Sequence, residues 1–180
     1  MKVAIVMGSK SDYPKLEEGI NFLEKYGVEV VVRILSAHRT PKELVSFIES
    51  IDGEVDVIIA AAGKAAHLSG VIAASTLIPV VGLPIKSSTM DGMDSLLSMV
   101  QMPKGIPVAT VTIDSGLNAA LMASAAVWSA SVMVNQIGYV ISGLDGMDTI
   151  MSFIIFCSLA VAGMILNIVA SFLPVAKEAE

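Results

Sequence analysis

The sequence predicts an α/β fold: a parallel sheet, doubly wound, with helices on both faces. Two observations predict it. Short apolar runs rich in β-branched residues alternate with segments of helical periodicity along residues 1–114, the pattern of successive βαβ units. The runs are apolar almost throughout instead of alternating, as strands buried on both faces are.

Val3–Met7 is an apolar run that ends at Gly8 and reads as a buried strand. Tyr13–Tyr26 places Leu16, Ile20 and Leu23 on one helical stripe, with Pro14 tolerated in the first turn and Gly27 as the stop. Val28–Leu35 is the second strand. Pro41–Ile51 repeats the helical spacing through Leu44, Phe47, Ile48 and Ile51. Thr40, Pro41 and Glu43 there form a candidate capping box. Val55–Ala61 is the third strand, Gly70–Thr76 a short helix, Pro79–Leu83 the fourth strand and Pro107–Ile113 the fifth. Between the last two, Asp94–Val100 is a helix closed by Pro103. Right-handed crossovers between these strands give a flavodoxin-like three-layer sandwich.

Composition narrows the function. The 180 residues carry a net charge of -6, which leaves no basic surplus for binding nucleic acid. A single cysteine, Cys157, allows no intrachain disulfide and fits a reducing compartment. The apolar run after Met1-Lys2 is too short for the core of a secretory signal, so a cytoplasmic location is expected. Of the 28 charged residues only five, Asp145, Asp148, Lys177, Glu178 and Glu180, fall after residue 114. The chain therefore divides into a catalytic-type domain, residues 1–130, and an apolar extension, residues 131–180. No dinucleotide or nucleoside-triphosphate loop signature is present, and no spacing of His, Cys or carboxylates suggests a metal. The methionines at 90, 93, 99 and 102 read as gap-filling core or interface.

Doubly wound sheets bind ligands at the carboxyl ends of their strands, and here those ends carry chemistry. Strand one is followed by Gly8-Ser9-Lys10-Ser11-Asp12, strand two by Ser36-Ala37-His38-Arg39-Thr40-Pro41, and strand three by Gly63-Lys64-Ala65-Ala66-His67-Leu68. The first loop offers N–H groups and hydroxyls to an anion at a helix start, although Ser11 or Asp12 could equally serve as a helix cap. Arg39 is a bidentate partner for phosphate. His38 can act as general acid or base near neutral pH. His67 reads equally well as a packed, hydrogen-bonded core residue.

These loops, with Asp-Ser-Leu-Leu-Ser at 94–98, Val-Gln-Met-Pro at 100–103, Gly105–Thr112 and the helix start at Asn118, resemble the N5-carboxyaminoimidazole ribonucleotide mutase (PurE) family over residues 2–126. The resemblance implies a homo-octameric enzyme of purine biosynthesis without metal or organic cofactor. It would interconvert N5-carboxyaminoimidazole ribonucleotide and 4-carboxyaminoimidazole ribonucleotide. Carried over, Ser9, Asp12, Ser36 and Arg39 would hold the ribose and its phosphate, and His38 would be the general acid/base. Lys64, Ala65, His67 and Leu68 would line the carboxylate end of the site.

Departures from the family pattern fall in the third loop. Lys64 stands where this class has a second Gly, and Ser69 where it has Pro. Lys64 therefore introduces a cation that could meet the substrate carboxylate or CO2, or point to solvent. The other class of the family carboxylates aminoimidazole ribonucleotide directly; Arg39 and His67 favour the mutase class. The turn Asp114–Asn118 is shorter than usual. After Trp128 the resemblance stops. Residues 150–175 include a 25-residue uncharged run, Ile150–Pro174, long enough to span a bilayer. The same run could be a helix buried in an oligomer, or an end foreign to the domain. An alternative function is thus a silent nucleotide-binding module tethered to a membrane.

Overall fold

A computed structural model of the chain describes residues 1–141, with side chains to residue 130. The chain divides into two compact units, Met1–Ser129 and Ala130–Glu180. Its strands are β1 (Lys2–Met7), β2 (Glu29–Ile34), β3 (Val57–Gly63), β4 (Val80–Ile85) and β5 (Ala109–Thr110). They form one parallel sheet in the order β2-β1-β3-β4-β5. That order is the flavodoxin-like one, and its direction reverses between β1 and β3. The helices are α1 (Tyr13–Lys25), α2 (Pro41–Ser50), α3 (Leu68–Ser75), α4 (Met93–Val100) and α5 (Gly116–Ile141).

Side-chain alternation along the strands builds two cores. Val3, Ile5 and Met7 of β1 face α1 and α5, joined by Val57 and Ile59, Leu16, Ile20 and Leu23, and Ala119, Ala120 and Ala123. Ala4 and Val6 face the other way, with Ile58 and Ala60, onto Leu44 and Ile48 of α2, Ile72 of α3 and Met99 of α4. Each fully buried Leu or Ile contributes roughly 1.5–3 kcal/mol from its apolar area. α5 meets the sheet with alanines, so its axis can come close. α1 approaches α5 closer still: a Cβ on Gly19 would stand 2.3 Å from the carbonyl oxygen of Gly116.

Several expectations shift. β3 begins at Val57 and not at residue 55, because Val55 precedes the paired segment that runs on to Gly63. β4 likewise runs on to Ile85. α3 starts at Leu68, two residues early. β5 shrinks to two residues, although Val111 still donates to Gly82 at 3.0 Å. The capping box at Thr40 does not form. Thr40 Oγ1 instead accepts from the Ser36 N–H at 2.9 Å and donates to the Ser36 carbonyl at 3.2 Å, closing the β2–α2 turn on itself. Residues 150–175, read above as a membrane span or buried helix, lie outside the described residues. Among the described residues no helix is long and apolar enough to cross a membrane.

Candidate active site

The carboxyl ends of β1, β2 and β3 meet at the point where the strand order reverses, and the loops that leave them enclose a cleft of about 600 Å³. Ser9, Asp12, Ser36, His38, Arg39, Lys64, Ala65 and Leu68 all line it. His67 does not line it but joins it through His38: His38 Nε2 and His67 Nδ1 are 3.0 Å apart, with the rings edge to face. A larger hollow, about 910 Å³, lies at the opposite end of the sheet among Ile48, Leu77, Pro79 and Pro107. It carries neither histidine nor cation, and it sits where the strands begin, so the smaller cleft is the candidate site.

The first loop is organised by a capping box in a 3₁₀ turn, Lys10–Asp12. The Ser9 hydroxyl accepts from the Ser11 N–H at 3.3 Å, and Asp12 Oδ2 accepts from the Ser9 N–H at 3.0 Å. Ser11 Oγ donates to Ser9 Oγ at 2.8 Å. Ser9 is thus the cap, and neither Ser11 nor Asp12 caps α1 through its side chain. Two hydroxyls and a carboxylate are held together at the cleft wall. Asp12 is buried, and burial pushes its carboxyl above the ordinary value of 3.8. Hydrogen bonds from Ser11 and Ser9 and the charge of Arg39 oppose that shift, while Asp114 adds to it.

The second loop crosses to the first. Arg39 Nη2 donates to the Gly8 carbonyl at 2.6 Å, and the Arg39 N–H donates to Ser36 Oγ at 3.3 Å. The guanidinium is therefore pinned beside the Ser9–Asp12 turn with further N–H groups to offer an anion. In the third loop Lys64 occupies the left-handed region at φ 59°. A non-glycine residue there costs about 1–2 kcal/mol, which explains why a glycine is at home at this position. The His38–His67 contact has a chemical meaning. One ring donates and the other accepts, with the direction set by the tautomers, so each imidazole orients the other.

The sequence reading missed the fourth wall. Ile85, Lys86 and Ser87, at the end of β4, also line the cleft. The same strand-end rule, applied to β4, would have found them. Among the described residues no three His, Cys, Asp or Glu side chains gather so as to hold a metal ion.

Fold and site together define an α/β domain whose histidine, arginine and serine side chains converge in a cleft at the switch point of a doubly wound parallel sheet. The chain matches the family model described as AIR carboxylase over residues 2–137, and it belongs to that family. It is 54% identical over 123 residues to the N5-carboxyaminoimidazole ribonucleotide mutase of Pyrococcus abyssi, covering 68% of this chain and 71% of that protein. It is 46% identical over 124 residues to the mutase of Thermotoga maritima, covering 68% and 72%. It is also 52% identical to the phosphoribosylaminoimidazole carboxylase of Ogataea methanolica, over 67% of this chain but 22% of that longer protein. The crystal structure of Treponema denticola PurE superposes with a TM-score of 0.62 at 28% identity, covering 79% of this chain and 95% of that one.

Proposed function

We propose that this chain is an N5-carboxyaminoimidazole ribonucleotide mutase acting in purine biosynthesis, with His38 as its general acid/base. The observation that carries the reading is the convergence of His38, backed by His67, with Arg39, Ser9 and Asp12 in one cleft. Arg39, Ser36 and the Ser9–Ser11 hydroxyls hold the ribose phosphate, and Asp12 accepts hydrogen bonds from the ribose. Lys64, Ala65, His67 and Leu68 border the carboxylate end, where Lys64 places a cation near the migrating carboxylate.

The chemistry balances around one proton. As the N–CO2 bond breaks, His38 protonates the departing nitrogen and CO2 is released into the cleft. C4 of the imidazole then attacks that CO2, and His38, now a neutral base, removes the C4 proton and returns to its starting state. The cleft must keep water out long enough for recapture. Residues 1–130 form the catalytic domain in this reading, and residues 131–180 an apolar extension. The catalytic domain works in the cytoplasm as a homo-oligomer, an octamer by the family resemblance. The uncharged run at 150–175 brings the chain to a membrane, on its length and hydropathy.

The test is a mutase assay of the full chain beside His38→Asn. General acid/base catalysis contributes about 10²–10⁴-fold, so the variant should lose at least 100-fold in kcat while still binding the ribonucleotide. Wild-type binding without turnover would replace the mutase with a silent nucleotide-binding module. Recovery of the full chain in the soluble fraction without detergent would remove the membrane assignment.

A further inference from the structure

The end of β4 is held at the cleft by a carboxylate outside the residues assigned so far. Asp114 follows β5 in a left-handed conformation, φ 60°, and its main-chain N–H donates to the Pro84 carbonyl at 2.9 Å. Its side chain is mostly buried and uses both oxygens. Oδ1 accepts from the Lys86 N–H at 2.8 Å, and Oδ2 pairs with Lys15 Nζ at 2.8 Å. Lys86 and Ser87 line the cleft, and Lys15 lies in the first turn of α1, three residues beyond Asp12. One carboxylate therefore ties the ends of β4 and β5 to the start of the helix that follows the Ser9–Asp12 turn.

The neighbouring backbone leaves this carboxylate little freedom. Two residues on, a Cβ at Gly116 would stand 2.2 Å from the Lys15 carbonyl oxygen, so the turn is pressed onto α1. The Lys86 ammonium is turned to Asp91 at 3.2 Å. The Lys86 contact to Asp114 is thus a main-chain one, and it fixes the position of the wall, not of the lysine head.

We propose that Asp114 is a positioning residue of the active site: it fixes Lys86 and Ser87 at the cleft wall. Its bearing on catalysis rests on the function proposed for this cleft. Replacing Asp114 by Asn removes the pair with Lys15, but the Asn side-chain oxygen still accepts from the Lys86 N–H, whereas Ala drops that contact.

The experiment uses the full chain with and without Asp114→Asn and Asp114→Ala. Hydrogen exchange at the Lys86 and Ser87 amides is followed on the substrate-free protein. Asp114→Ala, which drops the Lys86 contact, should speed exchange at Lys86 several-fold, with Asn restoring protection, and equal exchange in Ala and Asn would overturn the proposal. In kinetics, Asp114→Ala should raise KM several-fold, with Asn restoring it. Equal KM values for Ala and Asn would overturn the positioning role. The exchange measurement needs no turnover, so an inactive wild type would count against the mutase reading alone while amide exchange still decides the role of Asp114.

Discussion

At the residue scale, Asp12 and Lys64 are held against the preference of the fold. Asp12 is buried with its carboxyl held above 3.8, so the folded state takes up a proton more readily than the unfolded chain. Between 3.8 and the raised folded value, stability falls as pH rises. Wild type should therefore lose stability relative to Asp12→Asn as pH rises above 3.8, as urea midpoints followed upward from that pH would measure. The same variant should bind the ribonucleotide more weakly, since an amide replaces a carboxylate acceptor. Lys64 at φ 59° stores about 1–2 kcal/mol of backbone strain. Lys64→Gly releases it against a cost of about 0.4–1 kcal/mol in unfolded-chain entropy. The expected outcome is a modest rise in unfolding free energy together with a higher KM, read by denaturant titration and steady-state kinetics. An unchanged KM would make Lys64 a solvent-facing lysine. Residue identity at the site was legible because His, Arg and Ser clustered at strand ends where simple turn residues would have met the needs of the fold. The His38–His67 contact was not legible, since it joins loops 29 residues apart and depends on ring orientation. Thr40 also misled: its spacing to Glu43 fits a cap, yet the hydroxyl finds a nearer partner in Ser36.

At the element scale, the strands and helices were legible because burial on both faces makes the strands apolar and helix spacing marks Leu16, Ile20 and Leu23. What was missed lies at the ends. β3 and β4 extend to Gly63 and Ile85 because parallel pairing continues through Ala62–Pro84 and Gly63–Ile85, and backbone pairing leaves no compositional trace. That extension brought Lys86 and Ser87 to the cleft. The α1–α5 contact was also invisible, since Gly19 looks like a weak point in a helix until Gly116 is seen against it. Gly19→Ala should cost about 1–3 kcal/mol by forcing the helices apart. Chemical denaturation measures it, and a loss below about 0.5 kcal/mol, typical of a surface change, would mean that α5 does not bear on α1 as described.

At the scale of the whole molecule, residues 2–137 carry the family match, whereas the charge content falls after residue 114, inside that span. The switch point between β1 and β3 explains why the chemistry sits where it does: neighbouring loops diverge there and leave a cleft. In the proposed reaction this cleft moves a carboxylate from nitrogen to carbon with His38 as proton carrier. The decisive measurement starts from N5-carboxyaminoimidazole ribonucleotide labelled with ¹³C in the migrating carboxylate, incubated briefly with the full chain and excess unlabelled bicarbonate. Labelled 4-carboxyaminoimidazole ribonucleotide is expected from wild type and almost none from His38→Asn. Unlabelled product that appears only with aminoimidazole ribonucleotide and bicarbonate, or equal label transfer by His38→Asn, would contradict it.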